Sequence, residues 1–268
     1  MRNLKSFITY FILTMVSLFS VFPLFWMAVS ATNKSVDVIA GRLVPGTYLF
    51  ENLKNLLQAQ EVGRAMVNSL RNSIILTLAG LAICSIAGYG FEIYHDKAKD
   101  TVMSILLLAM MVPFVATLIP LFQMFSKIGL LNSTIGFILP SISTPFMIML
   151  FRQSARSFPH DIIEAARIDG LNEFRIFIRI FIPTMRATYA AAMTILFMNA
   201  WNNYLWPKVI MLSNEKITMP MMVANLLTGY VIDYGMVMLG VLICTIPTVI
   251  VFFLLQKSFA EGITGAVK

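Results

Sequence analysis

Six stretches of this chain lack any ionisable residue in their interiors, and each runs for about 20 residues, the length a helix needs to cross a roughly 30 Å hydrocarbon layer. They lie at approximately 7–31, 71–93, 102–125, 133–151, 184–207 and 235–256. A charge at mid-membrane costs roughly 2.5–3.5 kcal/mol on insertion scales, so its exclusion from every run marks the runs as spans. The chain is 58% hydrophobic and only 12% charged, against about 25% charged in a soluble domain. The expectation is an all-α, polytopic helical membrane protein of about six transmembrane helices, with one domain over 1–268.

A secretory signal is the competing reading of the first run, because Arg2 and Lys5 precede it and Ala28, Ser30 and Ala31 follow. Its apolar part, Phe7 to Val29, is well beyond the 7–15 residues of a typical signal core, so a retained span is expected. Cys84 and Cys244 both fall inside predicted spans and form neither a disulfide framework nor a metal pattern. The net charge of +7 comes without a basic run, so no nucleic-acid partner is expected. Cations instead follow the connections. With the N-terminus inside, the inside segments hold Arg2, Lys5, Lys97, Lys99, Arg152, Arg156, Arg167, Arg175, Arg179, Lys257 and Lys268. The longer outside segments hold Lys34, Arg42, Lys54, Arg64, Lys127, Lys208 and Lys216. The positive-inside rule then places both termini in the cytoplasm.

Prolines recur within or at the ends of spans, at Pro23, Pro113, Pro120, Pro140, Pro145, Pro207 and Pro247. Each removes a backbone donor and tends to kink its helix, although proline is common in membrane helices generally. Gly80, Ala87, Gly88 and Gly90 would let the second span pack closely against neighbours. Between the first two spans, Phe50, Leu53, Leu56 and Leu57 show helical spacing, which predicts a short amphipathic helix.

The most informative connection is the inside loop 152–183. From Pro159 it predicts a helix over about His160 to Asp169, with Asp161 and Glu164 at its positive end. Gly170 can take positive φ and end that helix, and Asn172 can cap a second one through Ile182. Helices shorter than about 12–15 residues are marginal alone in water, so both must dock on something. The first offers Ile162, Ile163, Ala165, Ala166 and Ile168; Arg175 and Arg179 give the second a basic face. Residue chemistry alone leaves a partner protein and the chain's own membrane surface both open.

Glu164-Ala165-Ala166, Ile168-Asp169-Gly170 and Ile182-Pro183 match in order and spacing the EAA motif of membrane subunits in bacterial binding-protein-dependent ABC importers. Asn68-Ser69-Leu70, Trp201 to Pro207 and the tail Gly262 to Lys268 extend the resemblance to carbohydrate-uptake permeases, similar to the smaller membrane subunit of the maltose transporter. The resemblance implies the MetI-like ABC importer permease fold in a bacterial cytoplasmic membrane, and alternating access that moves a sugar or oligosaccharide inward. It also implies that the chain is not itself an enzyme and binds no cofactor, ATP and Mg being held by two partner ATPase subunits. The other implied partners are a second, homologous permease chain and an extracytoplasmic solute-binding protein.

Carried over residue by residue, Glu164 would pair with an ATPase residue, Ala165 and Ala166 would form the seated surface, Gly170 the turn, and Asp169 and Pro183 would complete the coupling set. Gly262, Gly265 and Lys268 are a second candidate ATPase contact. The 226–234 segment, with Leu227, Gly229 and Asp233, aligns with a loop that probes the binding protein. If the fifth span is one continuous helix, Asn199, Asn202, Asn203 and Trp206 share a face, and amides beside a ring suit a sugar path as well as an interfacial belt.

Other classes fit less well. His160 and Glu164 stand four apart, but a zinc-protease helix needs a second histidine in that helix and His95 lies elsewhere, so no metal site is expected. No phosphate-binding GxxxxGK[ST] loop occurs. An ion-coupled secondary transporter would need intramembrane carboxylates or histidines. A permease for a non-sugar solute remains the nearer alternative.

Overall fold

The computed structural model describes residues 2–265, with side chains from Ser6 to Gln256. No strand occurs among the described residues. The helices are α1 (Arg2–Ser30), α2 (Ser35–Ile39), α3 (Leu49–Ala59), α4 (Val62–Ile93), α5 (Lys97–Ala109), α6 (Phe114–Lys127), α7 (Thr134–Ile138) and α8 (Pro145–Arg156). They continue with α9 (His160–Ile168), α10 (Glu173–Ile176), α11 (Ile182–Thr184), α12 (Arg186–Trp201), α13 (Leu205–Ile210), α14 (Met219–Asn225) and α15 (Tyr234–Gly265).

Three helices are long and apolar enough to cross a membrane unaided, within Ser6–Ser30, Val62–Ile93 and Tyr234–Gln256. The other three expected spans are bent pairs. Lys97–Ala109 meets Phe114–Lys127 at 98°, Thr134–Ser141 meets Pro145–Arg156 at 54°, and Glu173–Thr184 meets Arg186–Trp201 at 83°. Counting each pair as one gives up to six spans, although in the last pair the expected span, 184–207, takes in only the end of Glu173–Thr184, which belongs to the preceding connection. Prolines divide accordingly. Pro113 caps α6 and Pro145 opens α8, at breaks, whereas Pro23, Pro120 and Pro247 remain inside helices. A proline at a helix start loses nothing, because that N–H has no intrahelical partner anyway.

Contacts group the chain into two compact units, 1–66 with 219–246 and 67–218 with 247–268. In the first unit, two buried asparagines hold the chain leaving α1. Asn33 Nδ2 donates to the carbonyls of Val29 (3.0 Å) and Val44 (3.1 Å), and Asn52 Nδ2 donates to those of Ala31 (2.9 Å) and Asn33 (3.0 Å). The buried side of α3 is therefore Asn52 and Leu56, while Phe50 and Leu57, expected on the apolar face, are exposed. Satisfying orphan carbonyls past the end of α1 takes precedence over burying those two side chains.

In the second unit, two glycines of α4 mark where it meets its neighbours most closely. A Cβ at Gly88 would lie 2.5 Å from Phe151 Cβ and 2.7 Å from the Arg152 backbone nitrogen, so α4 and α8 touch there as only glycine permits. Gly80 meets Leu196 of α12, where an added Cβ would be 3.3 Å away. Gly90 faces open space and has no such packing role.

Candidate functional site

The 159–184 connection folds as two short helical segments around a reversal. Pro159 caps α9, and Gly170, with φ +79°, turns the chain. Asn172 Oδ1 then accepts from the Arg175 amide at 2.9 Å and starts α10. Residues Phe177–Phe181 continue as a π-helix into α11. Pro183 has no N–H to return to the Arg179 carbonyl, and the wider turn falls immediately before it.

The inner side of this connection is an aromatic cluster. Tyr89 of α4 packs edge-on against Phe177 (5.2 Å between ring centres) and Phe181 (4.8 Å). Phe177 and Phe181 stack at 5.6 Å, and Phe158 joins at 5.8 Å from Phe181. Ile163, Ala166 and Ile176 are buried in the same cluster. This corrects the expected docking face. Ala166 is 6% exposed and seats against its own chain, as does Ile163, because α9 needs one stripe to hold it down. Glu164, Ala165, Asp169, Gly170 and Pro183 are all exposed, as are Arg175 and Arg179. Beside Gly170, Ile168 is 86% and Phe174 69% exposed, two large apolar side chains left open on either side of the turn.

Behind the turn lies a polar brace that the sequence did not reveal. Arg167 Nε donates to Glu173 Oε1 at 2.7 Å and a second guanidinium nitrogen to Oε2 at 3.3 Å. The Tyr94 hydroxyl, one residue beyond α4, donates to the same Oε2 at 2.5 Å. The Arg167 guanidinium, then the Tyr94 hydroxyl, hold the Glu173 carboxyl below the usual range. Burial, then Glu173, pushes the Tyr94 hydroxyl up. A second set ties the neighbouring helices: Arg152 of α8 donates to Glu92 of α4 at 3.1 Å and to Asp100 of α5 at 2.5 Å. Opposite charges flanking Asp169-Gly170 were a usable signal for Arg167 and Glu173; nothing local marks Tyr94.

The other candidate residues are dispersed. α12 ends at Trp201, with Asn202 as its C-cap, so the continuous helix expected through Trp206 does not form. Asn199, Asn202, Asn203 and Trp206 therefore share no face. Asn203 Oδ1 accepts from the Trp206 amide at 3.4 Å, and Trp206 is fully buried, its Nε1 donating to the Gly136 carbonyl at 3.0 Å. Asn199 and Asn203 instead line a cavity of about 100 Å³ with Ser141, Thr144, Leu196 and Leu76. Leu227 and Gly229 are exposed, while Asp233 accepts from the amides of Gly235 (3.1 Å) and Met236 (3.2 Å) and caps α15. Lys268 lies outside the described residues, and of Gly262 and Gly265 only the helical backbone is described.

With this geometry the sequence matches, over residues 80–265, the family described as binding-protein-dependent transport system inner membrane component. The chain belongs to that family. It is 40% identical to the lactose transport system permease protein LacG of Rhizobium radiobacter, covering 100% of this chain and 98% of that one. It is 33% identical to the arabinooligosaccharides transport system permease protein AraQ of Bacillus subtilis (strain 168), over 95% and 92% of the two chains. The sn-glycerol-3-phosphate transport system permease protein UgpE of Escherichia coli (strain K12) is 27% identical over 92% of each. In fold, the chain matches a bacterial ABC transporter involved in the import of the acidic polysaccharide alginate, with TM-score 0.84 and 20% identity over 96% of this chain and 97% of that one. As a member of this binding-protein-dependent family, the chain is an integral membrane transport component, and the 159–184 connection lies wholly within the matched region.

Proposed function

We propose that this chain is the permease subunit of an ATP-driven importer for a sugar or oligosaccharide, and that its 159–183 connection is the cytoplasmic seat of an ATPase. The observation that carries this reading is the form of the connection: Ile168 and Phe174 stand open around Gly170 beside exposed Glu164 and Ala165, on a scaffold braced from behind. Large apolar groups exposed at a rigid turn fit a partner's cleft better than they fit water. Glu164 supplies the charge for an ion pair, and Ala165 permits close approach. ATP and Mg are held by two ATPase chains, and a second permease and an extracytoplasmic binding protein complete the assembly, with this chain's termini in the cytoplasm.

The relatives named for lactose and arabinooligosaccharides support a carbohydrate, whereas the one named for sn-glycerol-3-phosphate supports a phosphorylated polyol as the second reading. At about 100 Å³ the cavity lined by Asn199 and Asn203 is small for a sugar ring, so exposed Asn202 and the exposed part of Asn199 are the better candidates for a path.

Co-purification in mild detergent tests the assembly. A tagged chain should bring an ATPase and a second permease with it, and Glu164→Lys or Gly170→Val should lose the ATPase while still inserting. Recovery of the parent chain alone would overturn the reading. Uptake of labelled lactose, an arabinooligosaccharide and glycerol-3-phosphate by the reconstituted complex would then choose the solute.

A further inference from the structure

Resting on the reading that the 159–183 connection receives the stroke of an ATPase, we propose that this stroke leaves the loop through the end of α4. Tyr94, Glu173 and Arg167 are the positioning residues that transfer it.

Along the backbone the connection is continuous only with α8 and α12, so the simplest route for a push would be into those helices. The geometry favours another. Between α11 and α12 the chain bends by 83° at Met185, a joint that turns a push into further bending. Toward α4 there is no such joint. The Tyr94 hydroxyl meets Glu173 at 2.5 Å, and Glu173 is gripped by two nitrogens of Arg167 from the other side of the Gly170 turn. One carboxylate thus joins α9, α10 and the end of α4. Charge-assisted, bidentate contacts of this kind fix orientation as well as distance.

Directly beneath, Tyr89 packs against Phe177 and Phe181 of the π-helical turn, so the rings resist compression where the polar contacts resist separation. The helix entering the loop is fastened to the same part of α4. Gly88 lets Phe151 approach, and Glu92 holds Arg152, both side chains being mostly buried at 12% and 14% exposure. Gly88, Tyr89 and Glu92 stand at i, i+1 and i+4, on one side of α4. The end of α4 therefore contacts the loop's entry helix, its turn and its exit, and it moves with the loop as one body.

The test uses the assembled transporter in proteoliposomes, with solute uptake and ATP hydrolysis measured on the same sample. Glu173→Gln keeps the side-chain shape and removes the charge. Hydrolysis should stay within about twofold of the parent, while solute moved per ATP falls about tenfold, the size expected for losing hydrogen bonds to a charged group. Tyr94→Phe, which removes one oxygen, should fall less, about threefold.

A structural defect alone predicts neither this split nor the following rescue. Tyr94→Cys with Glu173→Cys, in a chain with Cys84 and Cys244 changed to Ala, should be uncoupled when reduced. It should regain uptake per ATP when a short bifunctional thiosulfonate joins the two thiols. Unchanged coupling in Glu173→Gln and Tyr94→Phe, or a linked form that transports worse than the reduced one, would overturn the proposal. An ATPase that still co-purifies in those samples leaves the docking reading standing; an ATPase missing from the parent preparation overturns both.

Discussion

Two breaks between short helices, at Gly170 and at Asn202–Asn203, lie in the same unit and arise in opposite ways. At Gly170 the cause is local: φ is +79°, nothing lies within 4 Å of where a Cβ would stand, and Asn172 restarts the chain by capping α10. Neither Asn202 nor Asn203 is a glycine or proline; Pro207, four residues past Asn203, has no N–H to return to the Asn203 carbonyl, and the continuation is held in place by contacts elsewhere. Trp206 sits between Phe114 and Phe125, with ring centres 6.4 and 5.2 Å away, and donates to Gly136. The Asn132 amide donates to the Ile210 carbonyl at 2.8 Å, and Asn132 Nδ2 reaches Ser213 Oγ at 3.0 Å. A break written in the backbone tolerates change around it, whereas a break imposed by packing depends on its distant anchor.

The largest expected effect follows from removing that anchor. Trp206→Ala deletes a fully buried indole and should destabilise by about 3–5 kcal/mol. Trp206→Phe keeps the bulk and orphans the Gly136 carbonyl, for about 1–3 kcal/mol. Survival of the monodisperse peak after heating in detergent measures both. Gly136→Ala should resemble the larger case, because the new methyl would collide with the Leu130 carbonyl and lie 2.7 Å from Ile210 Cδ1. If Trp206→Ala melts like the parent, the tertiary account of this break fails.

The same contrast explains what the sequence disclosed. The six apolar runs, the two short helices after Pro159, the positive φ at Gly170 and the cap at Asn172 all rest on signals within a few residues, and all were legible. Ala166 was misplaced because a motif gives an order of residues but not which side of a one-turn stripe the chain itself claims. Trp206 was misplaced because an apolar run reads as one helix until its distant partners are known. Tyr94 and Glu173 meet only after the chain has folded back at Gly170, and no spacing rule relates them. Asp233, expected as part of a loop probe, also has an acceptor role at the start of α15 that its place before a helix start could have suggested.

At the locally written break the effects should be smaller and should appear in function before stability. Gly170→Ala meets no neighbour, so its cost is the left-handed backbone alone, about 1–2 kcal/mol. Gly170→Asn should cost less, because asparagine visits that region more readily. Asn172→Ala removes the cap and should cost about 1 kcal/mol. Thermal shifts would rank the three, and a Gly170→Ala loss comparable to Trp206→Ala would contradict the comparison.

The smallest effect is a titration. Glu173 has its carboxyl held below the usual range, first by Arg167 and then by Tyr94. A group whose folded value is depressed binds fewer protons folded than unfolded, so stability falls as pH falls. The contribution is complete above the ordinary glutamate range and is lost as pH descends through that range and the lower folded value. Both side chains of the pair are nearly half exposed, 42% for Arg167 and 45% for Glu173, so water and salt screen it. Melting curves of the parent and Glu173→Gln should therefore run parallel at neutral pH and converge on acidification, with a narrower gap at high salt. A gap that widens with acid would mean that the carboxylate is not the charged partner in the folded protein, and that Tyr94 and Arg167 are held by something else.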